Sequence, residues 1–68
     1  MIQIEYNGTL LDIEPDTSLA IWLGAEGLAD KSGIAVAVND TVVPKATWDT
    51  TILKANDTII VIKATQGG

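Results

Sequence analysis

The chain of 68 residues contains no cysteine and no histidine. Disulfide bridges, zinc sites of the usual kinds, a thiol nucleophile and the commonest general base are thereby excluded. Catalysis by the chain itself is not expected. Arginine is absent too, so four lysines face nine acidic residues and leave a net charge of -5, the wrong sign for gripping phosphate backbones. Nucleic acid is therefore not an expected partner. A basic protein surface would be favoured, with association weakening as salt rises. No apolar run approaches membrane-spanning length, and Met1-Ile2-Gln3-Ile4-Glu5 lacks the basic-then-apolar layout of a secretory leader. A cytoplasmic protein with no membrane partner is the resulting expectation. What the chain has is a folded-domain balance of 47 % apolar and 19 % charged residues. Its length suits one domain, residues 1–68, whose core supplies about 3 to 5 kcal/mol and leaves no room for large cavities.

Ile2, Ile4 and Tyr6 alternate with Gln3 and Glu5, the period of a strand with one buried face. Asn7-Gly8 supplies the two positive-φ positions of a type I′ hairpin, so Thr9 to Ile13 returns antiparallel. Pro15 breaks the sheet pattern, and Thr17 or Ser18 is placed to cap a helix starting near Leu19. Leu19, Trp22 and Leu23 share one helical face. Gly24 and Gly27 would each cost about 1 kcal/mol within a helix, which predicts fraying or termination between Glu26 and Ala29. After a loop at Asp30-Lys31-Ser32-Gly33, the β-branched run Ile34 to Val38 reads as a well-buried strand. Asn39-Asp40 makes a second tight turn, and Thr41-Val42-Val43 returns as an edge strand stopped by Pro44. Lys45 to Leu53 lacks a clean period. Trp48, Ile52 and Leu53 offer anchors for an irregular or 3₁₀ turn crossing the sheet, with Trp48 read as a core plug. Ala55-Asn56-Asp57 forms the last turn. Thr58 to Ile62 carries no charge and is too continuous for an edge strand with one wet face, so it is placed centrally. Val38, Ile59 and Val61 are expected in the core. The sum is an α+β fold: a mixed sheet of four to five strands with one helix on one face.

The last five residues, Ala64-Thr65-Gln66-Gly67-Gly68, follow this domain as an extended, flexible tail. At a glycine usage of about 7 %, two terminal glycines arise by chance in about 0.5 % of chains, so the pair acquires meaning only from what precedes it. Five extended residues reach roughly 16 to 18 Å, enough to carry a carboxylate into a partner's cleft.

Val38-Asn39 at the hairpin, Val43-Pro44 followed by Trp48, Asp57 opening an apolar strand, and Gln66-Gly67-Gly68 come in an order and spacing that span nearly the whole chain. In these features the sequence resembles the ThiS-like sulfur-carrier proteins of thiamin biosynthesis, within the ubiquitin-like β-grasp superfamily. The resemblance implies that the first and last strands lie side by side and parallel at the centre of the sheet. Many relatives have glycine where Asn56 stands here; asparagine suits that place because it enters the left-handed region readily. Trp22 and the glycines of residues 20–27 depart from the family's usual helix and put partner preference in question.

The resemblance further implies a function. The Gly68 carboxylate would be adenylated by a ThiF-like enzyme using ATP, then converted to a thiocarboxylate by a sulfur donor such as a cysteine desulfurase persulfide. A ThiG-like thiazole synthase would receive the sulfur. The chain itself would bind no cofactor and no metal. Gly67 and Gly68 lack a Cβ and can thread a narrow channel, while Thr65 and Gln66 could pair with the partner as an added strand. If the helix covers one sheet face, Ile60 and Ile62 point to the other and mark a docking face edged by Lys63. Alternatives are a carrier for molybdopterin, cysteine or tRNA thiolation, a ubiquitin-like protein modifier, and a binding domain that shares only the shape.

Overall fold

A computed structural model describes residues 1–28 and 33–63. The expected loop at residues 30–32 and the expected tail at 64–68 lie outside the described residues. The elements run β1 (Ile2–Tyr6), β2 (Thr9–Ile13), α1 (Leu19–Ala25), β3 (Ile34–Val38), β4 (Thr41–Val42), a 3₁₀ turn at Lys45–Thr47, and β5 (Thr58–Lys63). They form one five-stranded sheet in the order β2-β1-β5-β3-β4. β5 pairs parallel with β1 and antiparallel with β3, so the last strand is the middle one and β4 is an edge.

Both hairpins turn on left-handed residues, Asn7 (φ 46°) with Gly8 (φ 88°), and Asn39 (φ 52°) with Asp40 (φ 68°). Paired positive φ values of this kind match the right-handed twist of the flanking strands. Asn56, at φ 71°, holds the left-handed position expected of it.

Helix α1 is short and carries no charge, yet both ends are closed. At its start, Leu19 N–H donates to Thr51 O (2.7 Å), Ala20 N–H to Trp48 O (3.1 Å) and Trp22 N–H to Ser18 O (3.0 Å). Ile21 N–H donates to Ser18 Oγ at 3.1 Å, so Ser18 rather than Thr17 is the cap. At its end, Leu28 N–H donates to Leu23 O (2.8 Å) and Gly27 N–H to Gly24 O (3.1 Å). With Gly27 at φ 76°, this is the paired 6→1 and 5→2 closure that glycine permits. Gly27 therefore ends the helix instead of weakening it.

The segment around and after the 3₁₀ turn crosses the sheet as its apolar residues suggested, from Val43 N–H on Val36 O of β3 (2.8 Å) to Asn56 N–H on Gln3 O of β1 (2.7 Å). It runs beside the start of α1, where Ser18 and Ile52 form an isolated bridge and Leu53 N–H donates to Thr17 O at 2.9 Å. Trp48 and Leu53 are buried, but Ile52 is 43 % exposed and is no core anchor. The helix lacks the turns to cover the sheet alone, and this segment completes the cover.

Ile4, Val36, Ile59 and Val61 meet Leu19, Trp22, Leu23, Leu28, Trp48 and Leu53 in one core. Tyr6 and Trp22 meet edge to face with ring centroids 4.9 Å apart, a geometry worth about 0.5 to 1.5 kcal/mol beyond area burial. The core stays on one side of the sheet. β3 buries Val36 but exposes Ala35, so it is buried on one face rather than throughout.

Candidate functional site

Alternation along a strand sends successive side chains to opposite faces. In β5 this puts Ile59 (0 % exposed) and Val61 (9 %) into the core, and Ile60 (38 %) and Ile62 (59 %) onto the other face. The register places Ile60 beside Ala37, Ala37 beside Val42, and Ile62 beside Ala35. Neighbouring strands lie about 4.8 Å apart, so these five side chains form one apolar surface. β5 is central yet wet on one side: its position was read correctly, but the continuous apolar run reflects this surface and not burial on both faces. A shallow recess of about 280 Å³, lined by Gly33, Ile34, Ala35 and Ile62, lies at the end of the same strands.

The β1–β2 half of the open face differs. Gln3 faces Asp12 there and Glu5 faces Leu10, so two carboxylates lie alongside the apolar half. Lys63 is exposed but in register with Ile34, which places it with Ile59 and Val61 on the helix side of the sheet. It does not edge the apolar surface.

The residues that carried the resemblance are mostly fasteners. Asn39 Nδ2 donates to Asp57 Oδ1 at 2.9 Å and Thr58 N–H donates to Asn39 Oδ1 at 2.9 Å, while Asp57 Oδ2 accepts from Lys54 N–H at 2.8 Å. Asp57 O also accepts from Glu5 N–H at 2.9 Å. The second hairpin and the start of β5 are thus tied through two side chains far apart in sequence. Trp48 Nε1–H donates to Val43 O at 2.9 Å, which explains the spacing of Val43-Pro44 to Trp48: Pro44 turns the chain and Trp48 satisfies the carbonyl before it. Sequence reading assigned these residues to a pattern but not to bonds.

Of the expected site residues, Ile60 and Ile62 stand together on the open face. Gly68, Gly67, Gln66 and Thr65 lie outside the described residues. Among the described residues no three His, Cys, Asp or Glu side chains gather as metal ligands, and no helix is long and apolar enough to cross a membrane.

The sequence model of the ThiS family matches residues 2–68. The chain belongs to the ThiS family. Membership carries the coarse functional statement, a small sulfur carrier that works with partner enzymes of thiamin biosynthesis. No curated protein matches the sequence. Among solved structures, the crystal structure of a thiamine biosynthesis protein (ThiS) from Geobacter metallireducens is similar with a TM-score of 0.85 at 20 % identity, covering 98 % of this chain and 100 % of that one. The solution structure of a thiamine biosynthesis protein from the same organism gives a TM-score of 0.76 at 22 % identity, covering 98 % and 88 %. At such identities the likeness speaks for the β-grasp fold, with its central parallel pair β1 and β5 and its single helix.

Proposed function

We propose that this ThiS-family chain carries sulfur for thiazole formation on the carboxylate of Gly68. A carboxylate at neutral pH is ionised and a poor electrophile, so it must be activated. In this reading a ThiF-like enzyme binds ATP, the Gly68 carboxylate attacks the α-phosphate, and pyrophosphate leaves. A sulfur nucleophile, such as the persulfide of a cysteine desulfurase, then displaces AMP from the acyl carbon. Thiol cleavage of the resulting acyl disulfide leaves a thiocarboxylate on Gly68 and a disulfide on the donor side. A ThiG-like thiazole synthase receives the sulfur. The chain is substrate and donor in turn, not a catalyst, and the ATP belongs to its partner.

The observation that carries this reading is that the family match runs through Gly67 and Gly68. Ile60 and Ile62 supply the docking surface, on the strand that leads into residues 64–68. Gly67 admits close approach of the channel walls, and Thr65 and Gln66 set direction by strand addition.

The intact mass of protein taken from its native host tests the proposal. Replacing carboxylate oxygen by sulfur adds about 16 Da, whereas a protein modifier would appear in heavier conjugates. Deleting Gly68 withdraws the carboxylate by roughly 3.3 Å, and misplacement by about 1 Å already costs on the order of 100-fold in rate. ATP-pyrophosphate exchange with the adenylating enzyme should be lost while the melting temperature stays unchanged. Full exchange by the truncated protein would refute the carrier reading.

A further inference from the structure

The parallel pairing of β1 with β5 ends before β5 does. Glu5 N–H donates to Asp57 O (2.9 Å) and Asn7 N–H donates to Ile59 O (3.0 Å). The next rung of a parallel ladder would join Val61 N–H to the main-chain carbonyl of residue 7. At Asn7 the chain, with φ 46°, already turns into the hairpin. Its side chain takes over: Asn7 Oδ1 accepts from Val61 N–H at 3.0 Å, across 54 residues of sequence. On the opposite edge, β3 follows β5 to the pair Ile34 and Lys63. Among the described residues, pairing on the β1 edge ends with Asn7.

We infer that Asn7 is a positioning residue for the sulfur-carrying terminus: its side-chain carbonyl extends the sheet by one rung and fixes the direction in which β5 delivers residues 64–68. The inference rests on the carrier reading above. Without this rung Val61 to Lys63 are held, among the described residues, by β3 alone, so the point and direction from which the chain leaves the sheet are less fixed, and misplacement of about 1 Å at a reacting group already costs on the order of 100-fold in rate. Asn7 itself reaches neither ATP nor the reacting carboxylate.

The backbone at residue 7 makes the test clean. Glycine accepts a positive φ freely, so Asn7→Gly keeps the turn and the residue 7 N–H but removes the acceptor, while Asn7→Asp keeps an acceptor oxygen in the same place. Both are assayed by ATP-pyrophosphate exchange with the adenylating enzyme, below their melting transitions. Asn7→Gly should lose about 10-fold or more in kcat with KM for the carrier within about 2-fold, because Ile60 and Ile62 are untouched, and Asn7→Asp should restore most of the rate. An unchanged kcat, a loss confined to KM, or a loss no larger than the unfolded fraction would overturn the positioning role. The two readings fail separately, since a wild-type protein that supports no exchange removes the carrier reading first. Amide exchange then decides for Asn7: faster exchange at Val61 in Asn7→Gly, with the rest of β5 protected, supports the inference, and unchanged protection there overturns it.

Discussion

Ile59 and Ile60 are adjacent, identical in chemistry and part of one strand, yet they face different surroundings. Ile59 is fully buried in the helix-side core that also holds Leu19, Leu23 and Leu53, while Ile60 joins Ile62, Ala35, Ala37 and Val42 on a face that nothing in the described chain covers. The helix side is closed by seven helical residues and the segment from Trp48 to Leu53; among the described residues the other side has no such layer. A domain this small rarely supplies more than about 3 to 5 kcal/mol from its core. An aliphatic surface left outside that core does little for stability and is available for contact with another molecule, as the docking role proposed for it requires.

The sharpest way to break this comparison is to truncate the two isoleucines separately. Ile59→Ala should cost about 2 to 5 kcal/mol, the range for deleting most of a buried aliphatic side chain, enough to unfold much of the population at room temperature. Ile60→Ala should stay within about 1 kcal/mol. Urea denaturation of both variants measures the gap, and equal losses would mean that the open face is part of the stabilising core.

A charge on the open face comes next in size. Ile62→Glu leaves the helix-side core alone, so its melting temperature should move little, but it buries an unpaired carboxylate wherever a partner covers the surface. Affinity for the adenylating enzyme should fall at least about 10-fold, which is 1.4 kcal/mol or more. Calorimetric titration with the folded variant checks this, and wild-type affinity would remove Ile60 and Ile62 from the proposed docking surface.

Much of the frame was legible in the sequence because it rests on local rules. Asn7-Gly8 and Asn39-Asp40 announce turns through their tolerance of positive φ, and alternation in Ile2 to Tyr6 announces a one-faced strand. What alternation could not reveal is which face of Thr58 to Ile62 is dry, since a run of β-branched residues looks the same when one face is open as when both are buried. The place of Ile52 escaped for a related reason: without a period, nothing decides which of Trp48, Ile52 and Leu53 points inward until Leu19, Ala20 and Leu53 make their bonds between the segment and the helix start. The candidate site was legible only in part. The pairing of Ile60 with Ile62 follows from the period of two, whereas the acceptor role of Asn7 depends on a contact 54 residues away and leaves no local trace.

Both faces hang on one backbone, and Asn39 tests how firmly. Asn39→Gly keeps the left-handed turn but removes the bonds to Asp57 and Thr58. The groups left behind remain accessible to water, so the loss should be about 1 kcal/mol, in the usual net range for such hydrogen bonds. It should appear in the melting of the whole domain. A local increase of amide exchange at Thr58 with an unchanged melting temperature would show that the clamp serves the start of β5 alone.

The smallest effect separates the two halves of the open face. Ile60, Ile62, Ala35, Ala37 and Val42 carry no charge, whereas Glu5 and Asp12 on β1 and β2 share their face and belong to a chain with a net charge of -5. Apolar contact persists until a complex dissociates, so it chiefly sets the off-rate; exposed charge acts while the partners approach and chiefly sets the on-rate. Screening distinguishes the two, because the Debye length shrinks from about 30 Å at 0.01 M salt to about 8 Å at 0.15 M. The on-rate for the adenylating enzyme should therefore fall several-fold over that interval with little change in off-rate. The double variant Glu5→Gln, Asp12→Asn should show a shallower slope and a similar off-rate, since both changes preserve shape. Stopped-flow association at a series of salt concentrations measures both. A wild-type on-rate independent of salt would mean that the acidic half takes no part in steering, leaving the apolar half to select the partner by fit alone.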